Sequence, residues 1–256
     1  MRALLTNDDG CASPGLIALA SAIREVAETF VVAPEHERSA ASHAITLHKP
    51  LRAVPVRLGD TGVPAWATNG TPADCVVLGV LDLLESPPDV VVSGINLGAN
   101  LGMDLIYSGT VSGAVEATLF GIAAVAISVA GFEDVHWQPA ARFAAGLVQE
   151  VRRRGLPRDT FLNVNLPNRP ASELRGVEVT RQSARRYVNR LEKRSDPRGR
   201  AYYWLTGAAE EVQHAPGTDA RAVAEGRISV TPLRLDMTDD ELTPVIRSWS
   251  LSIPTE

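Results

Sequence analysis

The sequence predicts an α/β fold built on a doubly wound, mostly parallel sheet, and three observations carry that prediction. Strand-like and helix-like segments alternate from the first residues to about Leu166. Several strand-like segments are continuous apolar runs, Val90-Val91-Val92 above all, as expected of strands buried on both faces. Polar clusters directly follow three of these segments, where open α/β sheets place their ligands.

In order along the chain, Arg2 to Thr6 reads as a short buried strand ending at Asn7-Asp8-Asp9-Gly10. Ser13 and Pro14 then suggest an N-cap and a first helical position, with a helix to about Val26. Thr29 to Ala33 is a second strand, and Glu35 to His43 a polar loop. Residues 51–56 and 64–67 read as short strands that pair antiparallel. Thr71, Pro72 and Asp74 open a helix that reaches Leu84. Asp89 to Ser93 is the valine strand, followed by a glycine-rich loop over Gly94 to Gly109. A helix from about Val111 to Phe120, a strand over Ala123 to Val129, a helix over Pro139 to Arg154 and a strand over Phe161 to Leu166 complete the alternation. Residues 177–206 carry strand signals around a turn at Asp196-Pro197-Arg198-Gly199, and Arg227 to Leu233 is a late strand.

The chain has 256 residues, a length that α/β units often reach as one domain. One domain over 1–256 is expected, with its core in about 1–180 and 226–240 and an arm over about 181–206. The formal net charge of −5 argues against a general nucleic-acid binder. Two cysteines, Cys11 and Cys75, imply no disulfide framework and a reducing, cytoplasmic setting. No run approaches the roughly 18 apolar residues of a membrane span, so neither a membrane nor a stable nucleic-acid partner is expected.

The chemistry is expected in the three strand-end clusters: Asp8-Asp9, Glu35 to Ser42, and Ser93 to Asn100. One strand-end aspartate alone commonly caps a helix. Two side by side repel each other, and a hard divalent cation is the simplest group to hold them. The donors on offer are carboxylate, hydroxyl and amide oxygens, which suit magnesium, manganese or calcium better than zinc. Tyr107 to Gly113 is a glycine- and hydroxyl-rich turn opening a helix, and Thr68 to Thr71 is another polar turn before one. Both read either as ordinary caps or as anion sites. None of the five histidines, His36, His43, His48, His136 and His214, sits in a catalytic spacing. His43 and Cys11 lie near the cluster and read as packing or surface residues.

Taken together, Leu5-Thr6-Asn7-Asp8-Asp9-Gly10, Val32-Ala33-Pro34, Glu37-Arg38-Ser39-Ala40, Asn69 to Asp74, Ser93 to Asn96, Tyr107 to Ala114 and Ile228 to Leu233 resemble, in this order, the SurE family of nucleotidases. The resemblance implies a Rossmann-like core with a protruding C-terminal β-hairpin, and dimers or tetramers, here through the hairpin arm. It implies a metal-dependent phosphatase, with Mg²⁺ or Mn²⁺, acting on nucleoside 5′- and 3′-monophosphates. Its metal ligands would fall on Asp8, Asp9, Ser39 and Asn96, with Asp8 and Asp9 also catalytic. Asn69, Ser108, Gly109, Thr110 and Ser112 would hold the phosphate. Many members carry Asp-x-Thr-x-His after the late strand; this chain has Asp236-Met237-Thr238-Asp239-Asp240, with an aspartate in the histidine's place. Asp236 and Asp240 are therefore candidate contacts to substrate or leaving group. An exopolyphosphatase and a nucleotide sensor without turnover are the rival readings.

Overall fold

The computed structural model describes residues 1–185, 187–209 and 215–253. The strands are β1 (Arg2–Thr6), β2 (Glu28–Pro34), β3 (Ala53–Arg57), β4 (Pro64–Thr68), β5 (Val90–Leu97), β6 (Ala123–Ala130), β7 (Thr160–Pro167), β8 (Val177–Val179), β9 (Tyr187–Ser195), β10 (Ala201–Ala209) and β11 (Ile228–Arg234). Nine of them form one sheet in the order β3-β4-β2-β1-β5-β6-β7-β11-β8. The run β4-β2-β1-β5-β6-β7 is parallel throughout. The antiparallel pairs lie near its two sides, β3 on β4 as expected and β11 on β7. From β1 the chain builds outward to β2 and β4, then crosses back to β5, β6 and β7. The doubly wound prediction holds, and the strand order reverses between β1 and β5.

Successive side chains of a strand point to opposite faces, so the apolar runs feed two cores. Leu5, Val31, Val92 and Ile127 pack on one face with Leu16, Leu19 and Val148, from α1 (Pro14–Ile23) and α4 (Trp137–Arg154). Leu4, Val32, Val91 and Ala126 pack on the other with Val76, Val111 and Ala114. These come from α2 (Pro72–Leu78) and α3 (Gly109–Leu119). The last two helices are α5 (Asp219–Ala224) and α6 (Leu242–Arg247).

Several boundaries differ from expectation for local reasons. Ser13 precedes Pro14 as expected, but its hydroxyl makes no capping bond, and α1 ends at Ile23 rather than Val26. Thr71 and Asp74 form the full reciprocal capping box. The helix they open turns π-helical over Gly79–Leu83, where Gly79 packs on Leu4; a β-carbon there would lie 2.6 Å from a Leu4 methyl. The loop expected over 94–109 is instead the end of β5, bulged between Ser93 and Asn96, and a 3-10 segment over Gly102–Tyr107. Strands β9 and β10 form the separate hairpin and run to Ala209, beyond the expected 206. Asp196 organises the tip by accepting the backbone N–H groups of Arg198 and Arg200.

Replacing Leu5, fully buried in a central strand, by alanine is expected to destabilise the fold by about 2–5 kcal/mol. Urea unfolding followed by circular dichroism measures it; a loss under about 1 kcal/mol would contradict this picture of the core.

Candidate active site

The point where the strand order reverses is where an open α/β sheet opens a crevice, and Asp8 and Asp9 stand there, directly after β1. Gly10 turns the chain away with φ +96°, close against the His36–Glu37 backbone. The loop after β2 reaches the pair through the Arg38 N–H, which donates to the Asp8 carbonyl at 2.7 Å. The end of β5 reaches it through the Leu97 N–H, which donates to the Asp9 carboxylate at 3.1 Å. From α3 the Thr110 hydroxyl donates to Asp8 Oδ1, and the Gly109 and Thr110 amides point at the same carboxylate. A β-carbon on Gly109 would lie 2.8 Å from the Asp8 side chain, so only glycine admits the carboxylate so close to the helix start. A buried amide cluster pins the chain beyond Asn96: Asn100 bonds Asn165 and Ser128 at 2.8 Å, and accepts from Asn163 and Asn165.

Asp8 is only 4% exposed, and Asp9 is half-buried. Among the described residues neither has a cationic partner. Burial pushes the Asp8 carboxyl above its ordinary range, opposed by the bond from Thr110. Burial first, and then the neighbouring Asp8 charge, push Asp9 up to about 6. Asn96 donates its amide nitrogen to Gly98 O at 2.7 Å, which turns its other end, a carbonyl oxygen, outward from that bond. Ser39 is exposed and donates to Glu37 at 2.5 Å, leaving lone pairs on its oxygen. Among the described residues no group of three or more His, Cys, Asp or Glu side chains converges. Any cation held here would be bound mainly by oxygens, two of them from uncompensated carboxylates, and these residues fit a hard divalent ion.

The other expected residues fall into three groups. Ser108 and Ser112 sit at the start of α3 beside Thr110. Ser108 Oγ accepts the Val111 N–H at 3.1 Å, and Ser112 donates to Ser108 O at 2.6 Å. The helix start assigned to phosphate thus already holds the Asp8 carboxylate. Asn69 directly follows β4, but its amide is committed elsewhere: Oδ1 accepts the Arg52 N–H at 2.9 Å, and Nδ2 donates to Pro50 O at 3.2 Å. Asp236 is exposed and accepts the Thr238 N–H at 2.9 Å; the Thr238 hydroxyl first, and this N–H second, hold its carboxyl below the usual range. Asp240 is exposed, and it is Asp239 that accepts the first amides near α6. Among the described residues, neither Asp236 nor Asp240 is hydrogen-bonded to the Asp8–Asp9 cluster.

Sequence reasoning missed how the loop after β2 is anchored. His43, read as a packing or surface residue, pairs with Glu116 of α3 at 2.7 Å, and Ser42 donates to Ile106 O at 2.8 Å. Arg38 reaches Asn69 O at 3.2 Å. The only local signal was an arginine beside Ser39. His36, His48 and His136 are exposed, while His214 lies outside the described residues.

The family model for survival protein SurE matches residues 3–189. The 5′-nucleotidase SurE of Geobacter sulfurreducens is 52% identical over 253 residues, 98% of this chain and 95% of that protein. The enzyme of the same name from Heliobacterium modesticaldum is 47% identical over 249 residues, 97% and 92% of the two chains. The crystal structure of the SurE protein from Aquifex aeolicus superposes with a TM-score of 0.83 at 44% identity, covering 96% of this chain and 98% of that one. The crevice, its acidic pair and these likenesses define an α/β protein of a nucleotidase family. The chain belongs to the SurE family.

The raised carboxyl of Asp9 has a consequence for the metal-free protein. Well below pH 4 both the folded and the unfolded chain hold this proton. Between about 4 and 6 the unfolded chain has lost it and the folded chain keeps it, so stability falls as pH rises through that window. Asp9→Asn removes the penalty. Its melting temperature in chelator is expected to exceed that of the unaltered protein at pH 7, with the difference shrinking towards pH 4. Equal melting temperatures at pH 7 would show that the pair is not destabilising.

Proposed function

We propose that this chain is a divalent-metal-dependent phosphatase that hydrolyses nucleoside 5′- and 3′-monophosphates to nucleoside and phosphate. The observation that carries the reading is the buried, uncompensated Asp8–Asp9 pair where the strand order reverses, at the start of α3. The names of the relatives, 5′-nucleotidase SurE, support the 5′ activity. The 3′ activity rests on the family resemblance alone.

Asp8, Asp9, Ser39 and Asn96 would hold the metal, Mg²⁺ or Mn²⁺. When bound, it supplies charge for a phosphoryl oxygen and a water of lowered pKa. The chain itself does the orienting. Thr110 and the first amides of α3 fix the Asp8 carboxylate. Leu97 N–H fixes one oxygen of Asp9, and the other is the better-placed acceptor for the proton of an attacking water. Ser108 accepts from Val111 and keeps its own hydroxyl proton to donate to a phosphate oxygen, beside Gly109, Thr110 and Ser112. Asn69 would act by holding the loop over Pro50 and Arg52 rather than by touching phosphate. Asp240, exposed, is not needed for the leaving group on this reading.

The hairpin is the proposed surface for self-association to a dimer or tetramer. Leu191, Tyr203, Trp204 and Leu205 are exposed on it, an apolar load that a lone two-stranded ribbon should not present to water. Among the described residues no helix is long and apolar enough to cross a membrane, and both cysteines are free. A reducing, cytoplasmic setting is consistent with that.

Phosphate release from a nucleoside monophosphate is expected only with Mg²⁺ or Mn²⁺ present; full activity after exhaustive chelation would refute the metal assignment. Asp8→Asn and Asp9→Asn are each expected to cut turnover by at least about a hundredfold on folded protein at ordinary metal concentration, whereas Asp240→Asn should leave it nearly unchanged. Deleting residues 183–204 is expected to lower the oligomeric state measured by light scattering, and an unchanged number of subunits would count against the hairpin interface.

A further inference from the structure

We propose that Arg38, Lys49 and Arg52 form a cationic subsite around Asn69 that receives a second phosphate group of the substrate. The proposal rests on the nucleotidase reading and extends it from monophosphates to substrates with two phosphates.

The charge pattern is the first observation. The chain is acidic overall, at −5, yet residues 38–59 contain no aspartate or glutamate while carrying Arg38, Lys49, Arg52 and Arg57. Arg57 is paired with Asp60. Among the described residues the other three have no carboxylate partner.

The second observation is where the fold puts them. Arg38 Nη2 and Lys49 Nζ both donate to one acceptor, the Asn69 carbonyl, at 3.2 and 3.5 Å. The Asn69 side chain holds the segment between Lys49 and Arg52 through Pro50 O and the Arg52 N–H. The Arg38 Nε–H is buried without an acceptor among the described residues. Two cations drawn to one carbonyl repel each other, and a neutral dipole compensates them only in part. A phosphate dianion matches what is missing, because its oxygens accept several charge-assisted bonds at once.

The third observation is the distance to the chemistry. The Arg38 N–H is bonded to the Asp8 carbonyl at 2.7 Å, while its guanidinium is bonded at Asn69. The subsite therefore lies one arginine side chain from the acidic pair. A substrate with one phosphate at Asp8–Asp9 would carry its second phosphate to Asn69. Two sources share that chemistry: a nucleoside bisphosphate and a short inorganic polyphosphate.

Steady-state kinetics at saturating Mg²⁺ or Mn²⁺ test the proposal. The substrates are a nucleoside 5′-monophosphate, the matching 3′,5′-bisphosphate and tripolyphosphate. The proteins are the unaltered chain and the Lys49→Gln/Arg52→Gln double variant, both with normal melting curves since these side chains are exposed. The kcat/KM ratio of bisphosphate to monophosphate is expected to fall about tenfold in the double variant, mainly through KM, and in the unaltered chain to shrink as salt is raised. A parallel loss with tripolyphosphate would widen the ligand to any second phosphate; a loss confined to the bisphosphate would restrict it to nucleotides. Ratios to monophosphate that are unchanged for both doubly charged substrates would overturn the subsite and leave the nucleotidase reading standing. Failure of the unaltered chain to release phosphate from the monophosphate with metal would overturn that reading itself.

Discussion

Two carboxylates held side by side in a largely water-excluded crevice, with no cation of their own among the described residues, set the terms for everything around them. Left to themselves they would separate or take up protons. Asp8 cannot move away, because Arg38 N–H holds its backbone and Thr110 and the first amides of α3 hold its carboxylate. Asp9 is held by Leu97. The protein thus places fixed dipoles around negative charge and, among the described residues, supplies no side-chain cation to balance it. That arrangement lowers stability as pH rises towards neutrality.

The sheet makes this possible through close approach. Glycine at 109 lets α3 start against Asp8. At 113 a β-carbon would lie 2.7 Å from the Ser93 hydroxyl, so glycine there lets the helix lie down on β1 and β5. Larger side chains at either place would lift α3 and draw its hydroxyls and amides from the pair. These two glycines therefore shape the surroundings of the acidic pair through distance alone.

The loop after β2 is fastened at several points, which matters because it carries Ser39 and Arg38. Ser42 bonds the segment before α3, His43 bonds Glu116 of α3 itself, and Thr46 bonds Asp74 of α2 through both its N–H and its hydroxyl. Asp74 thus serves the capping box of α2 and anchors the loop. An exposed loop joined to two helices in this way holds its polar groups at fixed places along the crevice.

Short-range patterning carried most of the architecture in the sequence. Strand and helix periods, the valine run and the Thr71–Asp74 capping box depend on neighbours a few residues away, and each element appears in the expected place with boundaries shifted by a few residues. The three strand-end clusters were legible for the same reason, since a parallel sheet brings its strand ends to one edge. What the sequence could not carry was the partner of each polar group. Nothing local in Asn69 tells that its amide bonds Pro50 O and the Arg52 N–H. Nothing local at the start of α3 tells that Asp8, about a hundred residues earlier, lies against it. The π-helical turn after Leu78 likewise follows from Leu4 packing on Gly79. The strands and the acidic pair were therefore settled by local sequence. Which carboxylate meets which helix, and which cations are left without one, is settled only when long-range packing removes water and decides which polar groups find a partner.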